Sequence, residues 1–396
     1  MDHETAVGER IAYYRRRRGL TQEVLSGRVG RSAVWLSKIE RGERTLDKVS
    51  LLLALARVLE VEPGDLIGGL ELPPNGGAPH DHPQGIPAIR HAVEGVVDLR
   101  EREAPTSVKL RADVDRAKQL DASGSYETLR LELPQLIVAG RAAVEQEVPG
   151  AWECLAGAYQ TASSLARTVG EVDLAWIAAD RAVTAAQQSG DQQLIGLSHQ
   201  RLTSALMAQG WLDDAGAVVS DAADALAPTD ETAPEGWSVW GLLHLVGALV
   251  AVRGEDVPTA WRVLRDARGA AERVGPGRND YWEAFGPASV GTIEVAVALE
   301  HGDPVEALRI TDNVEVDELP SAERRAHFRL TVAHAHVLRR DDAAAAAMLS
   351  EAERHAPEVV RYSVLARELM RVLLGRERRS RTPELRGLAQ RLGIAD

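Results

Sequence analysis

The chain has 396 residues, 45% of them hydrophobic and 27% charged, with a formal net charge of −13. It is too long for a lone motif and too apolar for a disordered chain, so two or three domains or one repeat array are expected. A chain this acidic binds nucleic acid only where its positive charge is gathered locally. One cysteine, Cys154, excludes an internal disulfide and a cysteine-rich metal site, and suits a reducing compartment. The start, MDHETAVGER, has no apolar signal core, and the longest apolar stretch, Val239–Val252, falls short of the ~20 residues a membrane span needs. The expectation is a cytoplasmic protein with no membrane contact.

Charge is unevenly placed. Residues 1–68 hold 12 Lys+Arg against 10 Asp+Glu, a balance of +2, and the remainder carries −15. Residues 5–18 read as an amphipathic helix with Val7, Ile11 and Tyr14 on one face, stopped by Gly19. Thr21 caps a short helix over 22–29, Gly30 ends it, and Ser32 caps a third over 33–40 with Leu36 and Ile39 inward. A fourth helix over 46–59 buries Val49, Leu52, Leu53, Ala56 and Leu59, and a short fifth covers 63–66. The second and third helices, joined by a turn at Gly30, have the form of a helix-turn-helix, whose second member enters the DNA major groove.

The string GLTQEVLSGRVGRSAVWLSKIERGER, residues 19–44, resembles the Xre or lambda-repressor-like helix-turn-helix at Gly19, Thr21, Gln22, Leu25, Gly30, Ser32, Leu36, Ser37, Glu40 and Gly42. The resemblance implies that Gln22 holds a phosphate at a positive helix end. It also places Ser32, Ala33, Val34, Ser37 and Lys38 in the early turns of the recognition helix. There Ala33 and Val34 meet thymine methyls, and Lys38 meets guanine or phosphate. Arg31, Arg41 and Arg44 flank that helix as phosphate partners. Arg15 and Glu40 stand where the family pairs an arginine with a glutamate. Trp35 departs from the small or polar residue usual there, and either packs beside the helix or leans on the DNA backbone.

Residues 69–87, rich in proline and glycine, read as a linker. Its His80, Asp81 and His82 lack supporting ligands, so no metal is expected. From Ala88 onward helical periodicity never yields to strand alternation, so residues 88–396 form an all-α body. A Gly-(x4)-Ala element recurs as GEVDLA at 170–175, GWLDDA at 210–215 and GDPVEA at 302–307, with a looser GEDVPTA at 254–260. It marks the bend of helical hairpins over 151–188, 191–226, 237–274 and 288–314, flanked by further hairpins over 106–147 and 321–356 and followed by capping helices over 358–374 and 382–393. These hairpins resemble tetratricopeptide-like repeats, and the whole is expected to be an N-terminal five-helix head joined to an α-solenoid.

The repeat resemblance implies a groove lined by the first helix of each hairpin. Its candidate ligand contacts are Gln160, Ser164, Arg167, Gln200, Ser204, Met207, Thr292 and Glu300, with His244, His327 and His334 by looser registers. No phosphate loop, zinc-protease or nucleophile motif is present, so neither an enzyme nor a cofactor is expected. The combination resembles regulators of the actinobacterial type. It implies a homodimer on double-stranded DNA whose body senses a peptide, a small molecule or a protein partner. Gram-positive regulators of this architecture commonly hold a peptide with groove asparagines, yet Asn75, Asn279 and Asn313 map to no groove position. The competing reading is an interaction scaffold tethered to DNA by its head, with no small ligand.

Overall fold

The computed structural model describes residues 3–18, 20–42, 49–59, 61, 66, 85–95, 99, 102–376 and 385–394. Among them there is no strand. Helices α1 (His3–Arg17), α2 (Gln22–Arg28), α3 (Ala33–Glu40) and α4 (Val49–Leu59) enclose one small core of Ile11, Leu25, Val29, Trp35, Leu36, Ile39, Leu52, Leu55 and Leu59. Their starts follow from local chemistry. The Thr21 hydroxyl accepts from Val24 N at 3.2 Å and the Ser32 hydroxyl from Trp35 N at 3.1 Å. Gly8 lets α1 pass close to the end of α3, because a Cβ there would lie 2.0 Å from the Ile39 carbonyl oxygen. Trp35 is buried in this core, which resolves its two readings in favour of packing.

The body begins with α5 (Ile86–Glu94), and its hairpins pair α6 (Ser107–Ser123) with α7 (Tyr126–Glu145) and α8 (Ala151–Thr168) with α9 (Val172–Ser189). The next two pair α10 (Gln192–Gln209) with α11 (Leu212–Ala225) and α12 (Pro234–Arg253) with α13 (Val257–Val274). The last two pair α14 (Pro287–His301) with α15 (Pro304–Thr311) and α16 (Ala322–Leu338) with α17 (Asp342–His355). The bend element works through backbone geometry. Gly170, Gly210 and Gly302 take φ of 87°, 83° and 90°, the left-handed position that closes a helix end. In the looser copy the inserted residue moves this duty: Gly254 stays at φ −74°, and Glu255 takes φ 68° instead.

The expected capping helix over 358–374 is broken in two, α18 (Pro357–Tyr362) and α19 (Val364–Gly375), before α20 (Leu385–Arg391). Ser363 is extended at ψ 121° and its hydroxyl accepts from Ala366 N, so it ends one helix and caps the next. Helix α12 is long and apolar enough to cross a membrane by length and composition, but the fold packs it centrally against α10, α11, α13 and α14.

The stack also closes on itself. One core joins Leu110, Val114, Tyr126 and Leu133 of the first hairpin to Leu330, Ala333 and Val337 of the last, and to Val359 of α18 and Leu369 of α19. The Ser321 hydroxyl donates to the Ala122 carbonyl at 2.9 Å, Glu127 N donates to Glu358 at 2.8 Å, and the Tyr362 hydroxyl donates to Glu127. The apolar ends of a solenoid must be hidden from water. Here much of that hiding is done by end-to-beginning contact, which leaves the inner faces of α6, α8, α10 and α16 looking at one another.

Candidate nucleic-acid interface and the interior of the body

The helix-turn-helix is locked from within. Glu40 at the end of α3 accepts from Arg15 Nε at 2.6 Å and Nη2 at 2.8 Å, and Arg15 Nη1 reaches the Leu20 carbonyl at 2.9 Å. Gln22 joins the clamp, donating to Glu40 at 2.7 Å, so its amide ties α2 to α3. With Leu36 and Ile39 inward, the opposite face of α3 carries Val34, Lys38 and Arg41 at i, i+4 and i+7, all exposed. Val34 is 65% exposed, an unusual state for an aliphatic side chain and a suitable one for a base methyl. Ala33 and Ser37 are half-buried beside this stripe, and Arg41 Nη1 donates to the Ser37 hydroxyl at 3.0 Å. Ser32 caps the helix. Arg44 lies outside the described residues, as do His80, Asp81 and His82.

Arg31 is placed differently from its neighbours. Its guanidinium donates to the Arg253 carbonyl and stands 3.7 Å from Glu255, leaving the side chain 4% exposed. The α2–α3 turn thus rests on two bends of the body, with Gly30 against Leu212 and Arg28 against Gly210.

A family model described as a helix-turn-helix domain matches residues 6–67. The uncharacterized HTH-type transcriptional regulator y4dJ of Sinorhizobium fredii (strain NBRC 101917 / NGR234) is 42% identical over 67 residues, 17% of this chain and 86% of that protein. This chain belongs to the HTH-type transcriptional regulators. Across the fuller length, PlcR of Bacillus thuringiensis in complex with the peptide PapR7 and DNA aligns at 14% identity and a TM-score of 0.30, covering 85% of this chain and 98% of that one. The apo competence regulator ComR of Streptococcus vestibularis aligns at 13% and 0.29, covering 87% and 99%.

In this HTH-type regulator the expected groove positions separate into several environments. Gln160 is buried and donates to the Ser198 hydroxyl at 2.9 Å, tying α8 to α10. Ser204 donates to the Gln200 carbonyl, and Thr292 to the Ser289 carbonyl. Met207 packs against two small apolar clusters. His244 faces the Trp240 carbonyl at 2.9 Å, and burial pushes its imidazole down. Glu300 receives Arg253 Nη2 at 3.1 Å. Burial likewise lowers His334, with Glu300 opposing. An open hollow of about 760 Å³ between α6 and α7, near Ala104, Leu131 and Leu136, holds none of the predicted residues.

Ser164, Arg167 and His327 do converge, around charged groups that sequence reasoning passed over. Glu283, on the connection between α13 and α14, is 6% exposed and sits between Arg201 of α10 at 2.5 Å and Arg324 of α16 at 3.1 Å. His327 stands 3.1 Å from Glu323 one turn earlier. Asp121 near the end of α6 shares this interior: burial pushes its carboxyl up to about 6, Glu323 adds to the rise, and Arg201 and the Ser164 hydroxyl oppose it. Burial also pushes the Lys118 ammonium down. No local pattern links these residues, since Glu283 lies in a loop and the rest are scattered from Lys118 to Arg324; only folding brings them together.

Asp121 yields a pH prediction. Its folded value lies above its unfolded one, so its stabilising contribution is full below about pH 4 and is lost as pH rises through 6. Asp121→Asn keeps the uncharged form. Its urea unfolding free energy is expected to match the wild type near pH 4 and to exceed it by about 1–3 kcal/mol at pH 7.5. Equal stabilities at both pH values would show that Asp121 ionises freely.

Proposed function

We propose that the regulator binds duplex DNA sequence-specifically as a homodimer. Residues 1–68 would be the DNA-binding domain, 69–87 a linker and 88–396 a tetratricopeptide-like body that dimerises and senses a ligand. The observation that carries the DNA reading is the uncovered stripe Val34–Lys38–Arg41 on a helix whose other face is sealed by core and clamp. Val34 and Lys38 are the base-reading side chains, with Ala33 and Ser37 at the margin; Arg41 and Arg44 serve the phosphates. Gln22 positions the two helices through Glu40. A single head of this size buries too little surface for tight specific binding, which supports two heads on half-sites about 34 Å apart or a multiple of that. The sensing part is supported by the polar interior around Ser164, Arg167 and His327; a peptide, a small molecule and a protein partner are the ligand classes to be separated by binding assays.

Genome-wide mapping of bound DNA supplies the operator. On it, Lys38→Ala is expected to weaken binding by about 1–3 kcal/mol and to relax preference at one or two positions. Arg41→Ala is expected to weaken all sequences alike and to reduce the slope of log K against log salt by about one. Unchanged affinity in both variants, with the fold intact, would sink the reading.

A further inference from the structure

The connection between α13 and α14 is built at a cost. Tyr281, Trp282 and Ala284 all take left-handed φ, at 56°, 68° and 50°, and each such residue costs on the order of 1 kcal/mol. Strain of this kind persists only where the surroundings hold it. Two anchors do so: Phe285, 2% exposed, whose ring edge fills the space above Gly241, and Arg278, which binds Asp280 at 2.7 Å and Glu235. Between these anchors the strap delivers one charged side chain inward. That side chain is Glu283, bridging Arg201 and Arg324.

The seat it occupies is richer than one carboxylate needs. Arg201 Nε is buried with no hydrogen-bond partner, and so are Asp121 Oδ1 and Gln200 Oε1 nearby on the same inner faces. Lys118 faces the same charges. Without Glu283 the seat would hold Lys118, Arg201 and Arg324 against Asp121 and Glu323, with Arg167 close by, and Arg201 and Arg324 would lose the carboxylate they share. Guanidinium groups present paired donors that match a carboxylate in two-point geometry.

We propose that Arg201 and Arg324 form the binding seat for the carboxylate of a ligand inside the body, and that Glu283 is an intramolecular stand-in which such a ligand displaces, releasing the strained strap. This rests on the sensing part of the reading above and names its ligand class. A tethered carboxylate competes at high effective concentration, so the wild type should respond only weakly to simple carboxylates. Removing the competitor should expose the seat.

The test uses the full chain, propionate and glutarate as probes, phosphate and chloride as comparison anions at constant ionic strength, and thermal unfolding as readout. Glu283→Ala is expected to be stabilised saturably by at least one carboxylate, with half-saturation at least tenfold lower than in the wild type. The Arg201→Gln, Glu283→Ala double variant is expected to show no saturable response. Should Glu283→Ala fail to fold, Glu283→Gln, which keeps the shape and loses the charge, is titrated with the same expectation at a smaller margin of about threefold. Absence of a saturable response in these variants, an equal response in the wild type, persistence without Arg201, or a response to phosphate alone would each overturn the proposal. Operator binding measured on the same wild-type preparation separates this failure from that of the DNA reading.

Discussion

Glu40→Ala is expected to unfold the head under conditions where the body remains folded, and to abolish operator binding with it. The side chain is 6% exposed and accepts three hydrogen bonds, two from Arg15 and one from Gln22. Truncation leaves a guanidinium that is 12% exposed with only the Leu20 carbonyl as acceptor, and strands the Gln22 amide. Breaking one side of a buried ion pair typically costs about 3–5 kcal/mol, because the remaining charge stays out of water. A domain of this size has only about 3–9 kcal/mol in total, so the loss consumes most of its stability. Hydrogen exchange of head and body amides separates the two regions, and Arg15→Lys should fall between, since an ammonium cannot make the forked pair. A Glu40→Ala head protected as well as the wild type would mean that the clamp adds nothing to the core.

Phe285→Ala carries the largest expected loss in the body, about 3–5 kcal/mol, from lost burial and the cavity left behind. The ring is 2% exposed and belongs to the cluster of Leu242, Leu245, Ala260 and Leu264. It sits so close to α12 that a Cβ at position 241 would lie 2.0 Å from its Cζ. Gly241→Ala should therefore cost about 1–3 kcal/mol by overpacking. Since the two changes share one space, the double variant should be no less stable than Phe285→Ala alone, because the added methyl enters the emptied site. Urea unfolding of the four proteins measures this coupling, and simple additivity would show that the ring and the glycine do not share a space. Phe285 is two residues from Glu283, so its loss should also loosen the seat at Arg201.

Much of this fold follows from interactions within a few residues. Thr21, Ser32, Asp191, Asp303 and Asp341 start helices by accepting from backbone N–H groups two or three positions ahead. Gly30, Gly170, Gly210 and Gly302 end the first helix of a pair because they take left-handed φ without penalty. Caps, glycines and helical periodicity together placed the helix-turn-helix and all six hairpins at nearly their observed bounds. The Arg15–Glu40 clamp, 25 residues apart, was legible only through the family pattern.

The tertiary structure alone decided what meets inside the body. Periodicity tells which face of a helix turns inward but not which helix it will face, and that depends on how far the stack curves. Because the last hairpin returns to the first, Ser321 finds Ala122 across 199 residues, and Asp121 shares an interior with Glu323. The groove positions read from a repeat register therefore met neighbours that no local pattern names. Glu283 reaches Arg201 across 82 residues from a loop with no periodicity at all. Backbone caps are short-range and written in adjacent residues, whereas burial and charge pairing are properties of the closed stack.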